Sequence, residues 1–573
     1  SIILLTVALA TTAAHAAINV DFSVKPDNHR HTISPLIYGS NQDLDGGENF
    51  GLYRLGGNRT TGYNWENNAS NAGHDWHHSS DDYLTWVYGI EDADENTPGI
   101  TMTHFHDRAV NAGAKSLLTL QMAGYVAKDK DGDVAEGETA PSARWVEVIP
   151  KKNAPFALMP DLTDNAVYID EIVNFLVNRY GRADEGGVLA YSLDNEPALW
   201  SQNHPRIHPA PAGAQELVER SVTTAAAVKD VDPSAQIFGP ALYGFAAFNH
   251  FQNAPDWPAL SGSYTWFIDY YLAQMKAASD GQGRRLLDVL DVHWYPEATG
   301  DHRITLSEGN TRNDKIARLQ APRTLWDPDY RENSWIAQSH SDFLPLLPRL
   351  QNAIDSLYPG TRLAITEFNY GAAADITGGV AIADVLGIFG KYNLYAANYW
   401  KLGDDATYVS LAYKLFRNYD GNNSTFGNVS VDAEMSDKVN SSVYASVNDG
   451  TGNLHVVVLN KHLDETINGS FNIDSDTDYR SANVYTMTGN AAALQKPGGV
   501  SISGNTFSYA IPPVSAQHFV ISVNPAGSSS SGGPSSSPEG GSDPNGEGSS
   551  GWLLLLVGFG LTAWLMFRFN SRD

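Results

Sequence analysis

Residues 188–197 read Val188-Leu-Ala-Tyr-Ser-Leu-Asp-Asn-Glu-Pro197, a short apolar run that ends abruptly in two acids and an amide. Continuous apolar runs of four to eight residues are typical of parallel strands that are buried on both faces. Seven further runs of this kind precede or follow it, at residues 36–40, 52–56, 116–122, 235–242, 287–296, 362–369 and 394–401. Counted in chain order, the run at residue 188 is strand four of eight.

Segments with helical spacing separate these runs, for example residues 165–180, 215–229, 264–278 and 343–357. Eight strands that alternate with helices predict an α/β fold, a (β/α)8 TIM-like barrel over residues 36–405. The alternative is an open doubly wound sheet. That fold would want a glycine-rich phosphate turn after its first strand, and Gly56-Gly57-Asn58 lacks the required spacing.

The pattern changes after the predicted barrel. Alternating strands and turns, such as residues 442–447, 454–460 and 518–523, predict an all-β sandwich over residues 406–523. An early strand-like run within residues 17–35 precedes the barrel, and we expect it to join the sandwich.

The two ends of the sequence do not resemble globular domains. Residues 1–16 are an apolar run closed by Ala14-His15-Ala16, which predicts a secretory signal that starts inside its apolar region. Residues 524–551 are rich in Ser, Gly and Pro and predict a linker. Residues 552–567 are uncharged and of minimal spanning length, and the tail 568–573 carries Arg568 and Arg572, which predicts a membrane or sorting helix with a cytoplasmic basic tail.

Composition excludes several classes of function. The 573 residues include no cysteine, which excludes disulfides, thiol nucleophiles, thiolate zinc sites and iron–sulfur clusters. A formal charge of −28 repels phosphate backbones, so we expect no nucleic-acid partner. The same charge favours a neutral polymer over an anionic one as a binding partner.

Active sites of such barrels lie at the carboxyl ends of the strands, where two glutamates stand. Glu196 ends strand four within Asn-Glu-Pro, and Glu367 lies near the end of strand seven within Thr-Glu-Phe. A lone glutamate is most often an ion-pair partner. Two that face each other across a barrel mouth match the acid and the second carboxylate that glycoside hydrolysis needs, and a gap of about 5–5.5 Å would give retention of configuration.

Tryptophans on the same face are candidates for stacking on sugar rings, although tryptophan is also a common core residue. Trp400, at the end of strand eight, is the strongest candidate, whereas Trp76 could equally be part of the core. Trp65, Trp326 and Trp335 are predicted to contact substrate as well.

Three stretches resemble glycoside hydrolase family 44: residues 53–73 (YRLGGNRTTGYNWENNASNAG), residues 192–200 (SLDNEPALW) and residues 365–370 (ITEFNY). The long first stretch is the most specific of the three, and the similarity spans roughly residues 18 to 523. The resemblance implies a barrel with a β-sandwich and a retaining endo-β-1,4-glucanase or xyloglucanase activity.

By the family's motifs, Glu196 matches the acid/base and Glu367 the nucleophile, and Asn195 would reach the sugar 2-hydroxyl. We expect further substrate contacts from Arg54, Asn58, His293 and Tyr295. The resemblance implies no cofactor or metal for the chemistry. It allows a structural calcium, for which the oxygen-rich loop 64–75 is the candidate.

Two rival functions stay open. A metal-dependent hydrolase would use His104-Phe-His106 or the histidines of residues 74–78, but residues two apart on a helix diverge. A non-catalytic surface lectin would keep the tryptophans and have no use for two facing carboxylates. A β-xylanase or mannanase on the same barrel is a third alternative.

We therefore predict a retaining endo-acting hydrolase of β-1,4-glucans such as cellulose or xyloglucan, and a monomer. The glycine- and serine-rich stretch, the short span and the terminal arginines resemble the GlyGly-type sorting signals of Gram-negative bacteria. We expect export to the cell surface, with the tail either retained in a membrane or removed by an intramembrane protease.

Overall fold

The computed structural model describes residues 17–523. The predicted signal (1–16), linker (524–551), spanning segment (552–567) and basic tail (568–573) lie outside the described residues. Within residues 17–523, none of the helices combines the length and the apolar character that a membrane crossing requires. The chain begins with β1 (Ile18–Lys25) and β2 (His31–Thr32), which precede the barrel.

Eight parallel strands close into the predicted barrel. They are β3 (Gly39–Ser40), β4 (Leu52–Leu55), β7 (Lys115–Leu120), β12 (Ala190–Leu193), β13 (Gln236–Leu242), β14 (Val289–Trp294), β15 (Arg362–Phe368) and β16 (Ala396–Tyr399). Strands that are consecutive in this list pair with each other, and β16 pairs with β3, which closes the barrel. Closure excludes the open doubly wound sheet, and each strand overlaps one of the eight predicted runs.

Seven helices connect or follow the barrel strands. They are α3 (Ile100–Asn111), α4 (Ile169–Tyr180), α6 (Ala214–Val231), α9 (Phe267–Gln282), α12 (Leu346–Leu357), α13 (Ile376–Lys391) and α14 (Thr407–Arg417). The connection from β3 to β4, residues 41–51, contains no helix. The last helix, α14, packs against α13 and begins after residue 405, so the boundary predicted between barrel and sandwich was too early.

Shorter helices lie in the connections. They are α1 (Asn58–Thr61), α2 (Tyr83–Val87), α5 (Trp200–Asn203), α7 (Phe245–His250), α8 (Trp257–Leu260), α10 (Arg312–Gln320) and α11 (Trp335–Ser339). Two small sheets occupy the long loops after β4 and β7. One comprises β5 (Ser70–Asn71), β6 (Ser79–Asp81) and β9 (Gly132–Asp133), and the other β8 (Tyr125–Ala127), β10 (Trp145–Ile149) and β11 (Ala166–Tyr168).

The barrel interior changes from apolar to polar along the strands. At the amino ends, a buried cluster that includes Leu52, Val289 and Ala364 fills the interior. Because side chains alternate along a strand, the residue two positions later faces the same side. Arg54 and Asp291 follow Leu52 and Val289 at that spacing, and both are fully buried. The apolar layer therefore closes one end, and a polar layer supports the opposite mouth.

The second domain is a sheet of ten strands folded over its own core. It contains β1, β2, β17 (Val429–Met435), β18 (Ser441–Val447), β19 (Leu454–Asn460), β20 (Ile467–Ile473), β21 (Tyr479–Thr488), β22 (Gln495–Ser501), β23 (Thr506–Ile511) and β24 (Ser515–Val523). Its buried core includes Phe22 and Phe471, which are partners on the neighbouring strands β1 and β20, and Phe519 of β24. All pairs are antiparallel except β1 with β20.

Candidate active site

Glu196 and Glu367 face each other across the carboxyl end of the barrel. Glu196 follows β12, and Glu367 is the next-to-last residue of β15. One carboxylate oxygen of each glutamate and one ring nitrogen of His293 lie within 4.8 Å of one another. The Glu196 side chain keeps 18% of its surface exposed and the Glu367 side chain 6%. Both carboxylates are therefore largely buried, yet open toward a shared space.

Irregular backbone conformations place the Glu196 and Glu367 side chains at the barrel mouth. Asp194 and Glu196 have left-handed backbone, with φ of 59° and 48°. The Glu196 amide donates to the Ala241 carbonyl at 3.0 Å, which fixes this turn to the next strand. In β15 the register shifts at Thr366, so that Glu367 pairs with His293 in the ladder. A bulge of this kind lets consecutive residues face the barrel interior.

Arg54 lies inside the barrel and links the strand ends that carry Glu367 and Asn195. Its Nη1 donates to Glu367 Oε1 at 2.8 Å and to Asn41 Oδ1 at 3.1 Å, and its Nη2 donates to Asn195 Oδ1 at 2.7 Å. Arg54 is fully buried. It orients Glu367 and Asn195, and its predicted contact with substrate stays a prediction that this burial does not favour.

His293 and Tyr295 complete the polar surroundings of the carboxylates. His293 Nδ1 lies 2.8 Å from Glu196 Oε1 and 3.5 Å from Glu367 Oε2. The Tyr295 hydroxyl donates to Glu367 Oε2 at 2.8 Å. With Arg54 on the other oxygen, Glu367 is held at both oxygens by donors, which fixes its orientation.

The two carboxylates have different electrostatic environments. Burial raises the pKa of Glu196 to about 7, Arg54 lowers it in part, and the charge of Asp75 raises it again. Burial lowers the pKa of His293 to about 3, so its ring is neutral at physiological pH. Glu367 instead forms a direct ion pair with the Arg54 guanidinium at 2.8 Å. Opposed environments of this kind separate an acid from a nucleophile.

Trp400 and Trp335 lie where a sugar could reach them. A Cβ atom on Gly57 would come within 2.4 Å of Trp400 Cη2, so the ring lies against the Gly57 backbone next to the site. Gly57 also has a φ of 91°, a conformation that favours glycine. Trp335 is 44% exposed and contacts Phe245, which follows β13, edge to face.

The other tryptophans have different surroundings. Trp65 is completely buried and packs against Phe175, and its predicted contact with substrate stays a prediction that this burial does not favour. Trp326 packs against Tyr392, just after α13 and before β16, at the opposite end of the barrel. This position does not favour its predicted contact with substrate, which stays a prediction. Trp76, by contrast, is 53% exposed and belongs to the rim rather than the core.

Some site residues escaped sequence reasoning. Asn41, directly after β3, donates to the Thr366 carbonyl at 2.9 Å and accepts from Arg54. Asp75, whose charge acts on Glu196, belongs to a long loop. Asn41 stands at a strand end and could have been found by the same filter that selected Glu196. Asn58, which was predicted to bind substrate, is half-buried and donates to the Ala72 carbonyl at 3.2 Å.

The loop 64–75 uses its amide oxygens internally. Asn64 Oδ1 accepts from the Glu66 amide and Asn71 Oδ1 accepts from the Gly73 amide, both at 2.9 Å. Glu66 is buried, and its pKa is raised to about 8 by burial and by the charges of acids that include Asp164. Carboxylate oxygens suit calcium. Within the loop, Glu66 therefore has the more suitable ligand atoms, and the calcium itself stays a prediction.

The histidines of the rival metal-hydrolase function do not converge. Among residues 17–523, one group of three His, Asp or Glu side chains is close enough to share an ion, and it is Glu196, His293 and Glu367. His106 is buried, with Nδ1 2.8 Å from Ser116 Oγ. The described structure therefore gives the predicted alternative ligands, residues 74–78 and 104–106, no shared site.

Comparisons with known proteins agree with this geometry. A family model described as "Glycoside hydrolase family 44" matches residues 69–298. Endoglucanase A of Paenibacillus lautus is 55% identical over 524 residues, which cover 91% of this chain and 75% of that protein. A family 44 xyloglucanase of Paenibacillus polymyxa, solved with xyloglucan, is 55% identical, with a TM-score of 0.87, over 88% of this chain and 100% of that one. A bifunctional glucanase-xylanase from a metagenome library is 30% identical, with a TM-score of 0.73, over 89% of this chain and 100% of that one.

Proposed function

The chain belongs to glycoside hydrolase family 44, and on that premise we propose that it cleaves internal β-1,4 linkages of glucan backbones with Glu196 as acid/base and Glu367 as nucleophile. The separation of the two carboxylates carries the proposal. Carboxylate oxygens within 4.8 Å of each other match the spacing of retaining enzymes, about 5–5.5 Å between carboxyl groups, rather than the roughly 6.5–9.5 Å of inverting enzymes.

The reaction has two displacements. In the first, a Glu367 oxygen attacks the anomeric carbon, the bond to the leaving oxygen breaks, and that oxygen takes the proton of Glu196. In the second, Glu196 removes a proton from water, the water oxygen attacks the anomeric carbon, and Glu367 is released as a carboxylate. A pKa of about 7 lets Glu196 serve both steps.

The surrounding residues support the two displacements. Arg54 and Tyr295 each donate to one oxygen of Glu367 and so fix its orientation, and His293 bonds to Glu196. The amide oxygen of Asn195 already accepts from Arg54 and from the Gly57 backbone. Its amide nitrogen is therefore the group that would reach a sugar 2-hydroxyl. Trp400 would form the floor of the neighbouring subsite.

The substrate we infer is a neutral β-1,4-glucan, with xyloglucan and cellulose as the leading polymers. Relatives named endoglucanase and xyloglucanase support this inference, and the charge of −28 argues against an anionic polymer. We expect the protein to act as a monomer.

An activity panel tests the substrate and the endo mode. Xyloglucan, carboxymethylcellulose, mixed-linkage glucan, xylan and mannan are incubated in parallel, and the sizes of the products are followed in time. Early oligosaccharides of several lengths from the glucans are expected. Release of monosaccharide alone would contradict endo cleavage, and a preference for xylan or mannan would contradict the glucan assignment.

We further propose that the protein is exported and held at or released from the cell surface. The apolar segment before Ala14-His15-Ala16 and the short apolar segment before the terminal arginines support this. Fractionation of the native cells, with the intact mass of the product, tests it. Loss of mass from a cut near Gly551 indicates processing, a full tail in the membrane indicates anchoring, and an uncut soluble protein would contradict both.

A further inference from the structure

Asp194 is a buried carboxyl group beside the active site that the two displacements do not use. It is fully buried and lies two residues before Glu196. Its Oδ1 accepts from the Thr61 hydroxyl and from the Asn195 amide, both at 2.7 Å. Its Oδ2 accepts from the amides of Met122 and Ala123 at 2.6 and 3.1 Å. Both carboxyl oxygens are thus fully engaged.

These four bonds join three neighbouring parts of the barrel mouth. Thr61 ends α1 in the loop after β4, whereas Met122 and Ala123 directly follow β7. Asp194 itself follows β12, and its own amide donates to the Leu120 carbonyl at 3.0 Å. One side chain therefore fixes the end of β12 to the ends of the two preceding strands.

The backbone that Asp194 holds is strained. Asp194 and Glu196 both have left-handed φ values, of 59° and 48°. Left-handed backbone is disfavoured for L-residues, less so for Asp than for Glu, and it persists where its surroundings enforce it. With these two left-handed residues in the chain, the Asn195 side chain bonds to Arg54 and the Glu196 carboxylate bonds to His293. Without the bonds to Asp194, the chain would be free to relax and the Glu196 carboxyl would lose its aim.

We propose that Asp194 is a positioning residue for the acid/base, whose carboxyl holds the left-handed turn that aims the Glu196 proton at the leaving oxygen. This rests on the proposed roles of the two glutamates. A small displacement of an acid is costly only when the leaving group needs its proton. The loss of activity should therefore depend on the leaving group, which a loss of stability alone would not produce.

Asp232 provides a matched control. It is also buried, and it accepts from the amides of Ala183, Ser234 and Ala235 at 2.9, 3.0 and 3.2 Å and from the Ser234 hydroxyl at 2.5 Å. It lies between α6 and β13 at the amino ends of the strands, and its φ of −128° is an ordinary extended value. Asp232 thus has a similar set of bonds but no active-site turn to hold.

The experiment compares Asp194→Asn with Asp232→Asn on aryl β-cellotriosides of graded leaving-group pKa. Assays are run well below both melting temperatures, which are measured first. For Asp194→Asn we expect kcat/KM to fall at least about tenfold with the poorest leaving group and less than about twofold with the best. For Asp232→Asn we expect no dependence on the leaving group, despite a comparable loss of melting temperature.

Two further variants keep the test decisive. Thr61→Val removes one bond to Asp194 without changing β12, so it should show a weaker form of the same dependence even if Asp194→Asn fails to fold. Glu196→Gln should show a stronger form. Leaving-group dependence in Glu196→Gln but in neither Asp194→Asn nor Thr61→Val would overturn the positioning role alone. Its absence from Glu196→Gln would overturn the proposed role of Glu196, and the positioning role with it.

Discussion

Two regions of this molecule bury ionisable side chains, and they do so in opposite ways. At the barrel mouth, Glu196, Glu367 and His293 converge within 4.8 Å and keep an open side. At the contact between barrel and sandwich, Asp384 of α13 pairs with Lys461 at 3.5 Å, and each of these side chains is only 1% exposed. The mouth leaves its carboxylates a space for a reactant, whereas the contact leaves none.

Further buried polar groups lie at the same contact. The Tyr444 hydroxyl donates to Asp384 at 2.5 Å. Separately, a ring nitrogen of His455 lies 3.0 Å from a ring nitrogen of His518. His518 Nδ1 also bonds to the Leu415 carbonyl of α14 at 2.8 Å. Each of these groups bonds to another group of the protein. We infer that burial of charge serves reactivity in the mouth and docking of the sandwich at the contact.

The largest effect is expected from Glu367→Ala. Loss of the nucleophile should lower turnover at least about 10⁴-fold, because no other carboxylate can form the glycosyl intermediate. The melting temperature should fall as well, because the buried Arg54 guanidinium loses its carboxylate, so turnover is measured on folded protein. Turnover of activated aryl glycosides measures the loss, and with added azide any rescued product should have inverted configuration. A β-glycosyl azide from this variant would exchange the roles of the two glutamates.

Glu196→Ala should act more selectively. Poor leaving groups should lose about 10²–10⁴-fold and good ones much less, because only poor ones need the proton. Added azide should yield a β-glycosyl azide, detectable by NMR. In the wild type, turnover should fall as pH rises above about 7, where Glu196 loses its proton. A uniform loss across leaving groups would contradict the acid role.

At the contact between barrel and sandwich, Lys461→Met should lower the unfolding free energy and leave kcat unchanged. This change leaves Asp384 buried without its cation, which costs about 3–5 kcal/mol of unfolding free energy. Denaturant unfolding measures that cost, while kcat of the folded fraction should stay within about twofold of wild type. A large fall in kcat with unchanged stability would show that the two regions are not separate in function.

The histidine pair should make stability depend on pH. Burial lowers the pKa of His455 to about 4, against about 6.5 in the unfolded chain. The unfolded state therefore binds more protons between these values, and stability falls as pH falls from about 6.5 to 4, by up to about 3 kcal/mol. Unfolding free energies at pH 7 and 5 test this. His455→Gln should flatten the dependence, and an unchanged slope would contradict the assignment.

Trp400→Ala tests the edge of the mouth and should have the smallest effect. If the ring supports the sugar during its distortion, turnover should fall about tenfold rather than KM alone rising. Trp335→Ala is the matched rim variant, for which a change in KM is expected. Unchanged turnover for Trp400→Ala, with intact folding, would place the ring outside the reacting subsite.

The regular parts of the fold could be predicted from the sequence, whereas the irregular parts could not. The eight barrel strands were predictable because a strand buried on both faces is a continuous apolar run, and the position of Glu196 and Glu367 then followed from topology. Burial of single side chains was not predictable. Trp65 and Trp400 are both tryptophans in the segments that follow barrel strands, yet long-range packing buries the first and leaves the second beside the site.

Loops and boundaries were the weakest part for a related reason. The connection 41–51 reaches the next strand in eleven residues without a helix, and hydrophobic periodicity does not show this. Asp75 acts on Glu196 from a long loop, and only tertiary structure brings the two together. The strain at Asp194 likewise depends on bonds to residues more than 70 positions earlier.

The most direct test of the central claim, that Glu367 attacks while Glu196 supplies the proton, is to trap the intermediate. The enzyme is incubated with an activated 2-deoxy-2-fluoro-β-cellotrioside, digested, and its peptides are analysed by mass spectrometry. The account predicts a single labelled peptide with the sugar esterified to Glu367, and retained configuration of the natural product. A label on Glu196, or inverted product without a label, would contradict it.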